Sequence, residues 1–281
     1  MAKNPWLRRI FHPTDFSQES ETAFMHALKF ALQAEASLHI LHVDPPHKKH
    51  SYARFPKVRQ TLADWGLLPE DAFKDDLARL KLRINKSIAT GQDPRKAMLG
   101  YLEKKVPDLM VLSTQQREGL ARLFKPSLAG SLSRETGSLT FFLPSSCQGF
   151  VDPDSGTVRL RRILVPLDFD PPSTETLDMA ISFCNLLGCQ EIDAILLHIT
   201  GKDGPMTFKY PDQPGWHWEM VHGMGDPVEG IVQAAISRQA DLIIMGTLGR
   251  SGILDAFRGS TTERVVREAP CPVLAVNGVE D

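Results

Sequence analysis

Short, nearly continuous apolar runs alternate along the chain with longer stretches in which apolar residues recur every three to four positions. Ile10-Phe11, Leu38-His39-Ile40-Leu41-His42-Val43, Leu109-Met110-Val111-Leu112 and Leu139 to Leu143 read as buried strands in the first half. Ile163-Leu164-Val165, Ala194-Ile195-Leu196-Leu197-His198-Ile199, Leu242-Ile243-Ile244-Met245 and Pro272 to Val276 read as their counterparts in the second. Between the first two runs of each half the pattern turns helical, over Thr22 to Gln33 and over Thr176 to Leu187. Strand, helix, strand in that order is a βαβ unit with a right-handed crossover.

The two halves form an internal repeat. Arg9-Ile10-Phe11-His12-Pro13-Thr14-Asp15-Phe16 answers Arg162-Ile163-Leu164-Val165-Pro166-Leu167-Asp168-Phe169, each a strand ending in Pro-x-Asp. The halves then diverge: the first carries a polar stretch and a predicted helix over Asp71 to Lys81, the second only the Gly/Pro-rich Gly201 to Gly215. They realign at Arg83 to Ile88 and Trp218 to His222, and keep one constant offset through Asp93-Pro94 and Asp226-Pro227 to Asp108 and Asp241. An aspartate followed by proline is a strong helix start, which predicts helices over 94–105 and 227–238. The expected organisation is a first domain over 1–144, a linker over 145–157 rich in Ser, Pro, Gly and Asp, and a second domain over 158–281. Each domain is expected to be α/β, a five-stranded parallel sheet covered by helices on both faces.

The chemistry concentrates after the run ending at Met245. Gly246, Thr247, Gly249 and Arg250 follow it directly, and Gly259, Ser260 and Thr261 precede the helical Thr262 to Arg267. Gly246 and Gly249 leave no Cβ in the way of a ligand pressed on the main chain. Gly259, Ser260 and Thr261 fall where the unpaired N–H groups of a helix start face an anion. No Gly-Lys-Ser/Thr follows, so this is not a P-loop, and the glycines are too widely spaced for the dinucleotide fingerprint.

The spacing Gly-x2-Gly-x9-Gly-Ser resembles the nucleotide signature of the ATP-binding branch of the universal stress protein family. Ile-Leu-Val-Pro-Leu-Asp at 163–168, Asp-Leu-Ile-Ile-Met-Gly-Thr at 241–247 and Ala-Pro-Cys-Pro-Val-Leu-Ala-Val at 269–276 resemble the family's other landmarks. The resemblance implies tandem flavodoxin-like or Rossmann-like domains that pair through their last strands. Residues 139–143 and 273–276 would then meet within one chain as a pseudo-dimer, with a further homodimer open.

It also implies a site. Asp168 would accept from ribose or the adenine amine, Pro166 and Ile199 would flank the base, and Met245, Gly246, Thr247 and Gly249 would border the sugar and α-phosphate. Gly259, Ser260 and Thr261 would hold the distal phosphates, with Arg250 screening their charge. The bound group would be ATP, or ADP or AMP, with Mg2+ accompanying a triphosphate. In the first half Ser113 and Gln116 replace Gly246 and Gly249, so nucleotide binding is expected to be lost there. Phe169 and Asp170 crowd the second site's edge, where the family has a small residue. The implied role is a nucleotide-sensing stress-response regulator with at most slow hydrolysis and no catalytic residue of its own. The alternatives are a non-binding scaffold or an aspartate-nucleophile phosphatase built on Asp168 and Asp170.

Composition narrows the partners. A net charge of −2 without a basic stripe argues against nucleic acid. No run of apolar residues is long enough to span a membrane and no leader pattern opens the chain, so the cytoplasm is the expected location. Cys147, Cys184, Cys189 and Cys271 match no zinc or redox spacing and are expected as free thiols. His39, His42, His47 and His50 cluster in sequence, but two lie on a strand and two on a polar loop. They are read as structural or exposed rather than as metal ligands. His198 answers His42, which suggests a core hydrogen bond.

Overall fold

The computed structural model describes residues 6–47, 49–71, 76–114, 138–168, 173–200, 209–247 and 261–277. In the first half β1 (Arg9–Pro13) leads to α1 (Gln18–Ala34), whose first turn is capped by the Ser17 hydroxyl accepting the Ser20 N–H. Then come β2 (Ser37–Asp44), α2 (Val58–Asp64), α3 (Asp76–Arg79), β3 (Arg83–Thr90), α4 (Pro94–Leu102), β4 (Leu109–Thr114) and β5 (Leu139–Pro144). The second half runs β6 (Arg162–Leu167), α5 (Ser173–Leu186), β7 (Ile192–Thr200), β8 (Trp216–Met224), α6 (Pro227–Ser237), β9 (Leu242–Thr247), α7 (Thr261–Glu268) and β10 (Val273–Asn277).

Within each half all pairings are parallel, and the two halves have the same order, β3-β2-β1-β4-β5 and β8-β7-β6-β9-β10. The last strands join them. β5 and β10 pair antiparallel, Phe142 opposite Val273 and Thr140 opposite Ala275, so the two sheets form one of ten strands.

Both faces of that sheet carry a core that crosses the join. On one face α1 and α5 meet, and Phe30 packs edge-on against Phe141 at 5.1 Å and Phe183 at 5.2 Å. On the other, Met98 and Leu102 of α4 belong to the same buried cluster as Val228 and Ile231 of α6 and Val265 of α7. Rings such as Phe30, Phe141 and Phe183, buried completely, each contribute about 2–3 kcal/mol by leaving water.

The repeated aspartates at 108 and 241 staple the sheet at its amino-terminal edge. Asp108 Oδ2 accepts from the N–H groups of Arg8 and Arg9, both at 2.7 Å, and Asp241 Oδ2 from those of Arg161 and Arg162 at 2.9 and 2.8 Å. Arg9 and Arg162 return the tie by donating to the Val106 and Arg238 carbonyls. Each half thus locks the start of its first strand to the entry of its fourth.

Two elements differ from expectation. Within 71–81 the described residues form only the single turn α3, and Lys81, at φ 53°, ends it in the left-handed region. The stretch 145–157, expected as the linker, packs against the first half. Phe150 and Val151 are buried, their N–H groups both donate to His26 Nε2 on α1, and Trp65 Nε1 donates to the Pro153 carbonyl. Gly149 is required there: at φ +71° it lies so near His26 that a Cβ would stand 2.3 Å from Nε2.

Candidate functional site

In each half the strand order reverses between the first and fourth strands, and the region beyond their carboxyl ends is the usual ligand position in an open α/β sheet. In the second half this lies between β6 and β9. Pro166 is half-buried within β6 and Asp168 is exposed just beyond its end. Gly246 and Thr247 finish β9, with the Thr247 hydroxyl 3.3 Å from the Val276 carbonyl. Thr261 is the exposed first residue of α7.

The side chains of two expected contact residues are engaged by the protein itself. The Met245 side chain is buried with Leu164, Ile243 and Val265 beneath the sheet. Ile199 turns its side chain toward Gly223 and Gly230, where an added Cβ would meet its Cδ1 at 2.7 and 2.6 Å. Gly249, Arg250, Gly259 and Ser260 lie outside the described residues, as do Phe169 and Asp170 on the β6 side.

The helix start at α6 is fixed as its Asp-Pro suggested. Asp226 Oδ1 accepts from Val228 N and Glu229 N at 3.0 Å each, and Arg264 of α7 reaches the same carboxylate at 3.1 Å. The Glu229 N–H and the Arg264 guanidinium hold this carboxyl below the usual range. This bridge ties the start of α6 to α7.

The corresponding strand ends of the first half carry different side chains. Ser113 stands where the second half has Gly246. Asp15, the counterpart of Asp168, is engaged by Ser17, accepting from its N–H at 3.0 Å and its hydroxyl at 2.6 Å. Phe16 sits at φ 65°, an unusual conformation for a bulky residue. Its ring stacks on His42 at 4.0 Å, with the Arg54 guanidinium 4.9 Å from it and Phe55 edge-on at 5.5 Å.

His42 and His198 play matching parts. Each ring Nδ1 faces a carbonyl at the end of the first strand, His42 to Thr14 O at 2.7 Å and His198 to Leu167 O at 3.3 Å. This is the core hydrogen bond the repeat suggested. Beyond it the copies part: around His42 the first half gathers Asp44 and His50, whereas Thr200 takes the place of Asp44 in the second. Among the earlier histidine candidates, His39 points to the other face and meets the Tyr101 hydroxyl at 3.1 Å, and His47 is exposed. The grouping with Asp44 was not anticipated, although its signal was present: residues 42 and 44 of a strand share a face. Burial acts to raise the Asp44 carboxyl, but the His50 N–H donors and the two imidazoles outweigh it and hold it below the usual range.

Two copies of one doubly wound α/β unit, fused edge to edge through their last strands, define the class of protein. The chain belongs to the universal stress protein family, whose model matches residues 7–136 and 209–277. A universal stress protein of Thermus aquaticus is 56% identical over 52 residues, 18% of this chain and 38% of the relative. One from Methanocaldococcus jannaschii is 47% identical over 60 residues, 21% of this chain and 34% of the relative. The chain therefore spans little more than a third of the length of these relatives. The crystal structure of a universal stress protein from Archaeoglobus fulgidus aligns over 97% of both chains with a TM-score of 0.58 at 16% identity, a likeness of fold. Among the described residues no helix is long and apolar enough to cross a membrane.

Proposed function

We propose that the second half of this chain binds an adenine nucleotide, ATP or its di- or monophosphate, in the crevice between β6 and β9, and that the first half has lost that capacity. The observation that carries the reading is the asymmetry between the two switch points. Gly246 offers bare main chain at the end of β9, flanked by the exposed Asp168 and the first turn of α7. The equivalent position on β4 is Ser113, and beyond the end of β1 the Phe16 ring packs on His42 and Phe55.

The chemistry suits the ligand. A carboxylate accepts from ribose hydroxyls or the adenine amine, and the N–H groups of a helix start attract phosphate oxygens. Arg250, and Mg2+ with a triphosphate, would balance the remaining charge. The protein then acts as a regulator whose conformational or oligomeric equilibrium follows nucleotide occupancy, with hydrolysis slow at most. A homodimer of the tandem is one such state.

Calorimetric titration of the purified chain with ATP tests this reading, alongside mass spectrometry of any small molecule that co-purifies. Binding of one nucleotide per chain that disappears in Gly246→Val supports it. Absence of heat and of any co-purified nucleotide would leave the scaffold reading in its place.

A further inference from the structure

We propose that the first half carries a divalent-metal site at the carboxyl end of β2, with His42 Nε2, Asp44 Oδ1 and His50 Nδ1 as ligands and zinc as the ion their chemistry fits best. These three atoms form a triangle with sides of 3.1 Å (His42 to Asp44), 2.5 Å (Asp44 to His50) and 3.2 Å (His42 to His50). Zinc bound to nitrogen and oxygen at about 2.0–2.2 Å holds tetrahedral ligands about 3.3 Å apart, so two of the three sides already suit it and the third must open by less than about 1 Å.

The hydrogen-bond accounting points the same way. His42 Nδ1 donates to the Thr14 carbonyl, which can only accept, so Nε2 is the ring atom left to serve as a ligand, and it faces Asp44 Oδ1 at 3.1 Å. His50 Nδ1 faces the same carboxylate oxygen. A cation at the centre would be met by all three atoms, with any proton on His42 Nε2 or His50 Nδ1 released or moved to the far ring nitrogen on binding.

The surroundings supply the outer contacts a metal site requires. The Thr14 carbonyl fixes the tautomer of His42, and the His50 main-chain N–H holds the second carboxylate oxygen, Asp44 Oδ2, at 2.9 Å. Phe16 stacks on His42 and meets His50 edge-on at 5.6 Å, closing one side with apolar surface. Two imidazoles and one carboxylate leave a fourth position for water or an incoming ligand. The second half, with Thr200 in place of Asp44, lacks the carboxylate. The site therefore belongs to one copy and predicts one ion per chain, independently of any nucleotide.

The full-length chain, stripped with chelator, is titrated with Zn2+ by calorimetry and with Co2+ by visible absorption, alongside His50→Ala, His50→Gln, Asp44→Asn, His47→Ala and His222→Ala. His50→Gln keeps a side-chain donor for Asp44 and so guards against misfolding, with circular dichroism confirming the fold. The expected result is one ion per chain, weakened about 100-fold or more in the His50 and Asp44 variants and unchanged in His47→Ala and His222→Ala. Failure of the native chain to bind Zn2+, undiminished binding by folded His50→Gln, or loss on His222→Ala would each overturn the proposal.

Discussion

Lowering the pH from 7 to 5 should weaken the first half of the molecule ahead of the second. His12 and His26 are fully buried, and burial pushes both imidazoles down to about 4 despite their hydrogen bonds to the Val111 and Thr22 carbonyls. The folded state keeps both rings neutral, whereas the unfolded chain takes up protons below its ordinary value of 6.5. Stability is therefore present above about 6.5 and falls by about 1.4 kcal/mol per pH unit per histidine until about pH 4. Between pH 7 and 5 each ring should cost about 2 kcal/mol, so the pair approaches 4 kcal/mol as an upper figure. Carboxylates with depressed values, such as Asp44 and Asp226, lose their contribution only below about 3.8, outside this window. The second half has Val165 where the first has His12. Hydrogen exchange at pH 7 and 5, corrected for intrinsic rates, should show α1, β1 and β4 losing protection before β6 and β9. Urea unfolding of His26→Gln should show a pH 7-to-5 loss about 2 kcal/mol smaller than that of the parent chain. An unchanged pH dependence in that variant, or equal loss of protection in both halves, would refute the reasoning.

Other expectations rest on single contacts. Gly149→Ala forces a Cβ toward His26 Nε2 at a positive φ and should destabilise the first half by roughly 2 kcal/mol or more in urea unfolding. Asp241→Ala removes the acceptor of the Arg161 and Arg162 N–H groups and should cost about 1–1.5 kcal/mol, water replacing the exposed bond, with Asp108→Ala doing the same at the other staple; a loss below about 0.5 kcal/mol in both would show that the staples are decorative. Ser113→Gly should not restore nucleotide binding to the first half, because the Phe16 ring stacked on His42 stays beyond the end of β1; a second ATP site appearing by calorimetry would contradict that.

Much of the architecture was legible because it is written twice. The Pro-x-Asp strands, the Asp-Pro helix starts and the fourth strands reinforce one another at one offset, and the expected meeting of residues 139–143 with 273–276 corresponds to the β5–β10 pairing. The outer strands β3 and β8 were seen only as realigned segments. They stand at the sheet edges with alternating exposed and half-buried residues, so they lack the continuous apolar run of the inner strands. The packing of 145–157 was hidden by its turn-rich composition, since Phe150 and the left-handed Gly149 acquire meaning only beside His26. Of the candidate site, the sequence placed Pro166, Asp168 and Gly246 at strand ends, and the structure has them at the ends of β6 and β9, the two strands beside the switch point. The triangle of His42, Asp44 and His50 needed the fold, because a loop of unremarkable polarity brings His50 back over the end of β2.

The central claim is that two copies of one fold have divided their labour, the second keeping the nucleotide crevice and the first closing it. Hydrogen exchange of the full chain with and without saturating ATP measures this directly. The account predicts ATP-dependent protection in peptides covering 162–168 and 242–268 and none in those covering 9–17 and 109–114. Protection in the first-half peptides, or no change anywhere at saturating ATP, would contradict it.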